Sequence, residues 1–122
     1  MAIFSADLAA NRRSTINGEG EQTRDYVYVG DVARANTLAL EGDPPPGAYN
    51  VGTGLETSVN RLYELARDIS GTDLPASYGP AKPGEQLRSS IDPARAGRVL
   101  DWHPEVPLAV GLEETLRSFG AL

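Results

Sequence analysis

Apolar positions recur along this chain at helical spacing in four stretches, and short apolar runs fill the gaps between them. The cleanest stretch is Val59, Leu62, Tyr63, Ala66 and Ile69, three and four residues apart, which lines one face of a helix ending near Ser70. Thr57 or Ser58 caps its start and Gly71 stops it. Ile3, Phe4, Leu8 and Ala9 predict a helix over 2–13, with Arg12 and Arg13 in the last turn where they suit the helix dipole. Val32, Ala35, Leu38 and Ala39 predict another over 31–41, capped by Asp31 and ended by Gly42. Leu108, Leu112, Leu116 and Phe119 predict a final amphipathic helix over 108–119. Asp92 followed by Pro93 is a start signal for a short helix, and Trp102 is expected to plug the core beside it.

The strands are short. Residues 15–17, 25–29, 48–51, 74–78 and 87–91 read as strand candidates, the second from its aromatic and β-branched content. Gly18 and Gly20 turn the chain between the first two, and Gly52-Thr53-Gly54 turns it after the third. The expected fold class is α/β (α+β), a small mixed domain of about four helices and several short strands.

With 122 residues the chain is one domain at most. Apolar residues at 40% and charged residues at 23% are ordinary for a globular protein. A net charge of −6 weighs against the phosphate backbone of nucleic acid as a partner. There is no cysteine for a disulfide or a thiolate site, and the single histidine, His103, excludes a histidine-based metal cluster. No apolar run approaches the roughly 20 residues of a membrane span, and the N-terminus lacks the order of a signal peptide. A cytoplasmic location, without membrane or nucleic acid partners, is the expectation.

Candidate chemistry lies in two places. Arg24 sits where the glycine turn enters a strand, which suits an anion clamp; on spacing alone it reads more readily as one half of a surface ion pair with Asp25 or Asp31. Lys82-Pro83-Gly84-Glu85, followed by Arg88, sets cations and a carboxylate on a backbone stiffened by proline. Cations suit a diphosphate and a carboxylate accepts from ribose hydroxyls, although the same residues also describe a solvated loop. Gly18-Glu19-Gly20 and Gly52-Thr53-Gly54 both lack the third glycine of a dinucleotide fingerprint and read as turns. Tyr78 and Lys82 are four apart, but Gly79 and Pro80 preclude a regular helix between them. Tyr63 and Arg67 share a helix face, yet arginine stays protonated. No catalytic residue, cofactor site or metal site is therefore expected in this chain.

The run TINGEGEQTRDYVYVGDVARA resembles the segment that follows the nucleotide-binding half of UDP-glucose 4-epimerases. These belong to the NAD-dependent epimerase/dehydratase family of extended short-chain dehydrogenase/reductases. GAYNVGTGLETSVNRLYELA, GPAKPGEQLRSSID and PARAGRVLDWHPEVPLAVGLEETL resemble the same family in the same order. The resemblance implies that residues 1–122 are the C-terminal, nucleotide-sugar-binding portion of such an enzyme, with the Rossmann half missing. It implies UDP-sugar recognition as part of UDP-glucose/UDP-galactose interconversion. NAD would belong to the full enzyme and none would be bound by this chain, which alone would be inactive.

Carried over by position, Lys82 and Arg24 would meet the diphosphate and Glu85 the ribose. Ile16 and Asn17 would line the uracil pocket, and Arg88 is a fourth candidate contact on the charged loop. Lysine at 82, where many relatives carry arginine, would supply a point charge rather than a bidentate fork. The helix over 31–41 and the strand over 48–51 match elements that pack on the nucleotide-binding half, so this chain alone is expected to self-associate as a homo-oligomer. The alternatives are a related sugar-nucleotide dehydratase or decarboxylase, or a non-catalytic binding or interaction module.

Overall fold

The computed structural model describes residues 1–122. Five helices, α1 (Ala2–Ala9), α2 (Val29–Gly42), α3 (Val59–Ser70), α4 (Ala94–Leu100) and α5 (Leu108–Ser118), are interleaved with four short strands, β1 (Thr15–Asn17), β2 (Thr23–Arg24), β3 (Thr57–Ser58) and β4 (Ser77–Gly79). β1 pairs parallel with β4, Ile16 opposite Tyr78. β2 pairs antiparallel with β3, Arg24 opposite Thr57. The fold class is the mixed α/β one that the sequence predicts.

Two hydrophobic clusters hold these elements. The larger one joins α1, β1, α3 and α5 through Leu8, Ile16, Leu62, Tyr63, Ala66, Leu112 and Leu116. Phe4 meets the Tyr63 ring edge-on at 5.3 Å, an arrangement that aromatic pairs favour. The smaller cluster joins α2 to α4 through Ala35, Ala96, Leu100 and Trp102. Trp102 is fully buried there, and its Nε1 donates to the Asp31 carbonyl at 2.8 Å. It plugs the core as its place in the sequence suggests.

α3 forms where the apolar period and both caps agree. The Ser58 hydroxyl accepts from the Arg61 N–H at 3.1 Å, and Gly71 closes the helix at φ 72°. α4 starts one residue later than Pro93, and the Asp92 carboxylate accepts the Ala94 N–H at 2.9 Å. α5 ends at Ser118, leaving Phe119 42% exposed.

Elsewhere the local reading is corrected. α1 stops at Ala9, because the chain turns through Asn11 at φ 53°; Arg12 and Arg13 lie beyond the last turn. Arg12 pairs with Asp7 at 3.0 Å and Arg13 donates to the Pro75 carbonyl. Residues 25–29 are not a strand. The ladder ends at Arg24, and Val29 already belongs to α2. Asp31 is not the helix cap; Tyr28 occupies that position. Asp31 instead lies buried in the first turn and accepts from the N–H groups of Glu105 and Val106 at 3.1 and 3.0 Å. Residues 48–51 and 87–91 run irregularly, and the strand expected over 74–78 is displaced to β4, Ser77–Gly79, with 74–76 outside it. In the first of these segments Tyr49 is held by side-chain packing, with the Arg95 guanidinium 4.5 Å above its ring. In the second, backbone and side-chain bonds to residues 23–25 replace a ladder.

Candidate functional site

The site is organised by three consecutive residues at the end of β2, which fasten the segment 85–91. The Thr23 N–H donates to the Leu87 carbonyl at 2.9 Å, and the Thr23 hydroxyl accepts from the Ser89 N–H at 3.3 Å. Arg24 Nη1 donates to the carbonyls of Thr23 and Gln86 at 2.6 and 2.7 Å, and its Nη2 lies 3.3 Å from Glu85 Oε1. Asp25 accepts from the Ile91 N–H at 3.1 Å, from the N–H groups of Thr53 and Gly54, and from the Thr53 hydroxyl. Burial pushes the Asp25 carboxyl up, but the bonds from Thr53, Ile91 and Gly54 outweigh it and hold the group below its usual range.

The turn before β2 is equally tied. Gly18 and Gly20 adopt φ 65° and 77°, and the Asn60 side chain fills the space that a Cβ at Gly20 would need. Gln22, only 9% exposed, donates from Nε2 to the Asn17 carbonyl at 3.0 Å and approaches Glu85 Oε2 at 3.5 Å. It therefore links β1 to the charged loop.

The expected site residues divide accordingly. Arg24 and Glu85 meet each other, and the turn from Lys82 to Glu85, closed by a 3.2 Å backbone bond, sets Lys82 just before them. Lys82 is exposed and forms no ion pair. Asn17 joins through its carbonyl. The Ile16 side chain is 1% exposed and belongs to the core, so it offers a ligand only the backbone of β1. Arg88 turns instead to Glu56, with contacts of 3.0 and 2.7 Å. That pair and the Thr23 hydroxyl hold the Glu56 carboxyl down at about 2. Gln22, Asp25 and Glu56 escape a reading of the sequence, because each acts on residues far along the chain.

Chemically, the arrangement offers a guanidinium and an ammonium to an anion and a carboxylate to hydroxyl donors. A second feature lies behind Tyr26: an apolar groove of about 190 Å³ lined chiefly by Tyr26, Tyr28, Val106, Pro107 and Leu112. The Thr53 and Gly54 N–H groups donate to Asp25, and a Cβ added at Gly18 would stand 3.3 Å from Ala81 Cβ. No helix is long and apolar enough to cross a membrane.

A family model, "NAD dependent epimerase/dehydratase family", matches residues 1–52. The chain is 41% identical over 121 residues to a UDP-glucose 4-epimerase of Mycolicibacterium smegmatis, covering 98% of this chain and 38% of that protein. A UDP-glucose 4-epimerase of Thermotoga maritima, crystallised with UDP-glucose, superimposes with a TM-score of 0.91 at 40% identity, covering 97% of this chain and 38% of that one. The human dTDP-D-glucose 4,6-dehydratase is 32% identical over 125 residues, covering 95% of this chain and 35% of that protein. The chain belongs to the NAD-dependent epimerase/dehydratase family, and it spans 38% of the length of its Mycolicibacterium relative.

Proposed function

We propose that residues 1–122 recognise a UDP-sugar, as the C-terminal, substrate-binding portion of a UDP-glucose 4-epimerase. The observation that carries this reading is the Arg24–Glu85 pair, fastened to a rigid strand end with unpaired Lys82 on the same loop. Arg24 and Lys82 meet the diphosphate, Glu85 accepts from the ribose, and β1 at Ile16 and Asn17 borders the uracil. Arg88 acts as a reserve cation that must first leave Glu56. In the whole enzyme, which interconverts UDP-glucose and UDP-galactose, a nucleotide-binding half holds NAD. NAD supplies the hydride chemistry, and this chain positions the substrate. By itself the chain binds no NAD and catalyses no interconversion.

We infer a cytoplasmic location. The reading also predicts self-association, because Val29, which lines the apolar groove, lies 72% exposed. The human dehydratase relative favours a second reading, a portion of a sugar-nucleotide dehydratase, in which the same residues hold a different nucleotide. Titration calorimetry with UDP and with dTDP tests both. Saturable heat with UDP at one site per chain supports the first reading, a clear preference for dTDP supports the second, and no heat with either refutes both.

A further inference from the structure

The acidic residue that follows Arg24 is more fully engaged than any expected ligand contact. Asp25 accepts three backbone N–H groups and one hydroxyl, from Thr53, Gly54 and Ile91, at distances from 2.5 to 3.1 Å. These donors belong to two different segments, the Gly52–Gly54 turn and the far end of the loop that begins at Lys82. The closeness of this junction is visible at Gly52: a Cβ there would stand 2.7 Å from the Ile91 side chain and 3.1 Å from Asp25 Oδ2. Any bulk at 52 would push Ile91 away from the carboxylate.

Arg24 and Thr23 hold the same loop at Gln86, Leu87 and Ser89. Of these anchors, Asp25 is the only charged acceptor. It alone reaches the loop's end at Ile91, three residues before α4 begins at Ala94. A carboxylate serving several N–H groups makes charge-assisted bonds, roughly twice as strong as neutral ones.

We infer that Asp25 is a positioning residue for nucleotide binding: by fixing Ile91 and the Gly52–Gly54 turn to β2, it holds the 82–91 loop where Lys82 and Glu85 can meet the ligand beside Arg24. Asp25 touches no ligand itself. Its oxygens are consumed by the protein, and its effect passes through the loop. The inference rests on the reading of this loop as the UDP site. Asparagine at 25 keeps the size and one carbonyl acceptor. It loses the charge that strengthens each of these bonds, and its one oxygen can serve either the Gly54–Ile91 side, now at Oδ2, or the Thr53 hydroxyl side, now at Oδ1, but not both.

The test uses the 122-residue chain with Asp25→Asn, and Thr53→Val as a milder variant that removes only the hydroxyl contribution. Amide hydrogen exchange of the ligand-free chain reads the loop, and titration with UDP and with uridine reads binding at a temperature where circular dichroism shows each variant folded. Asp25→Asn is expected to speed exchange across 85–91 by ten-fold or more and leave α3 and α5 unchanged. It should also weaken UDP at least ten-fold while changing uridine less than three-fold, because the diphosphate contacts ride on the loop. Thr53→Val should move both readouts in the same direction by less. A purely structural Asp25 would lower the thermal midpoint and leave UDP affinity of the folded chain unchanged, which would overturn the inference. Exchange that rises everywhere in both variants would also overturn it. If the parent chain binds no UDP, the proposed function itself falls and the ligand half of this inference with it; faster loop exchange in Asp25→Asn would then show that the junction exists without serving a nucleotide.

Discussion

Arg24 and Glu85, expected to hold different parts of one nucleotide, stand 3.3 Å apart and neutralise each other in the ligand-free chain. Both side chains are partly exposed, at 32% and 25%. The contact is therefore an ion pair in a high-dielectric setting, worth about 0.2–1 kcal/mol. In the proposed site, a phosphate oxygen would compete with Glu85 for the Arg24 guanidinium. Removing the carboxylate should free the guanidinium: Glu85→Gln is expected to bind inorganic pyrophosphate up to about five-fold more tightly. The same variant should bind uridine more weakly, having lost the acceptor for ribose hydroxyls. Separate calorimetric titrations of the two halves of the ligand check this, and an unchanged pyrophosphate affinity would show that the pair does not compete with an anion.

Removal of the arginine acts in the opposite sense. Losing a charge-assisted hydrogen bond costs about 1.5–3 kcal/mol, so Arg24→Ala should weaken UDP roughly ten-fold or more. Direct titration decides it, and parental affinity in the variant would remove Arg24 from the site.

Acid should destabilise the fold through carboxylates that accept several N–H groups. Burial pushes the Asp31 carboxyl up, but the N–H groups of Val106 and Glu105 and the Arg34 guanidinium outweigh it and leave the group below its usual value. A depressed folded value means that the folded state favours the ionised form. The stabilisation is complete well above the unfolded value of about 4, and is lost as pH falls through the lower folded value. Asp25 behaves alike. Urea midpoints measured downward from pH 6 should fall more steeply for the parent than for Asp31→Asn, and parallel curves would contradict the assignment.

The smaller core depends on one side chain. Trp102 is fully buried against Ala35, Ala96 and Leu100, and its indole nitrogen bonds the Asp31 carbonyl. Trp102→Ala should cost about 3–5 kcal/mol and Trp102→Phe less, since a smaller aromatic ring still fills part of the space although the hydrogen bond is lost. Because Trp102 is the chain's single tryptophan, circular dichroism rather than fluorescence follows the urea transition. A loss below about 1 kcal/mol for Trp102→Ala would mean that the α2–α4 pair stands without it.

Much of this architecture is legible where the signals are local. α3 is readable because its apolar period, the Ser58 cap and the left-handed Gly71 lie within fourteen consecutive residues, 58–71. The run from Asp25 to Val29 misleads for a physical reason. Its side chains favour a strand, but the Asp25 carboxylate captures N–H groups from residues 53, 54 and 91, and the chain leaves the ladder. Arg24 is found in an ion pair, one of the two roles open to it, but with Glu85 rather than Asp25 or Asp31. Arg88 finds its partner in Glu56, 32 residues away. Such pairings are set by how the loop lies on β2, which no local pattern encodes.

In the proposed function UDP occupies the corner between β1, the end of β2 and the 82–88 loop. Nitrogen–proton correlation spectra of the labelled 122-residue chain, titrated with UDP, test it residue by residue. The expected result is saturable shifts at the amides of Asn17, Arg24 and Glu85 and at the Arg24 side-chain Nε, with Leu112 and Leu116 in α5 unmoved. Shifts confined to the Tyr26–Val106 groove, or none at saturating UDP, would contradict it.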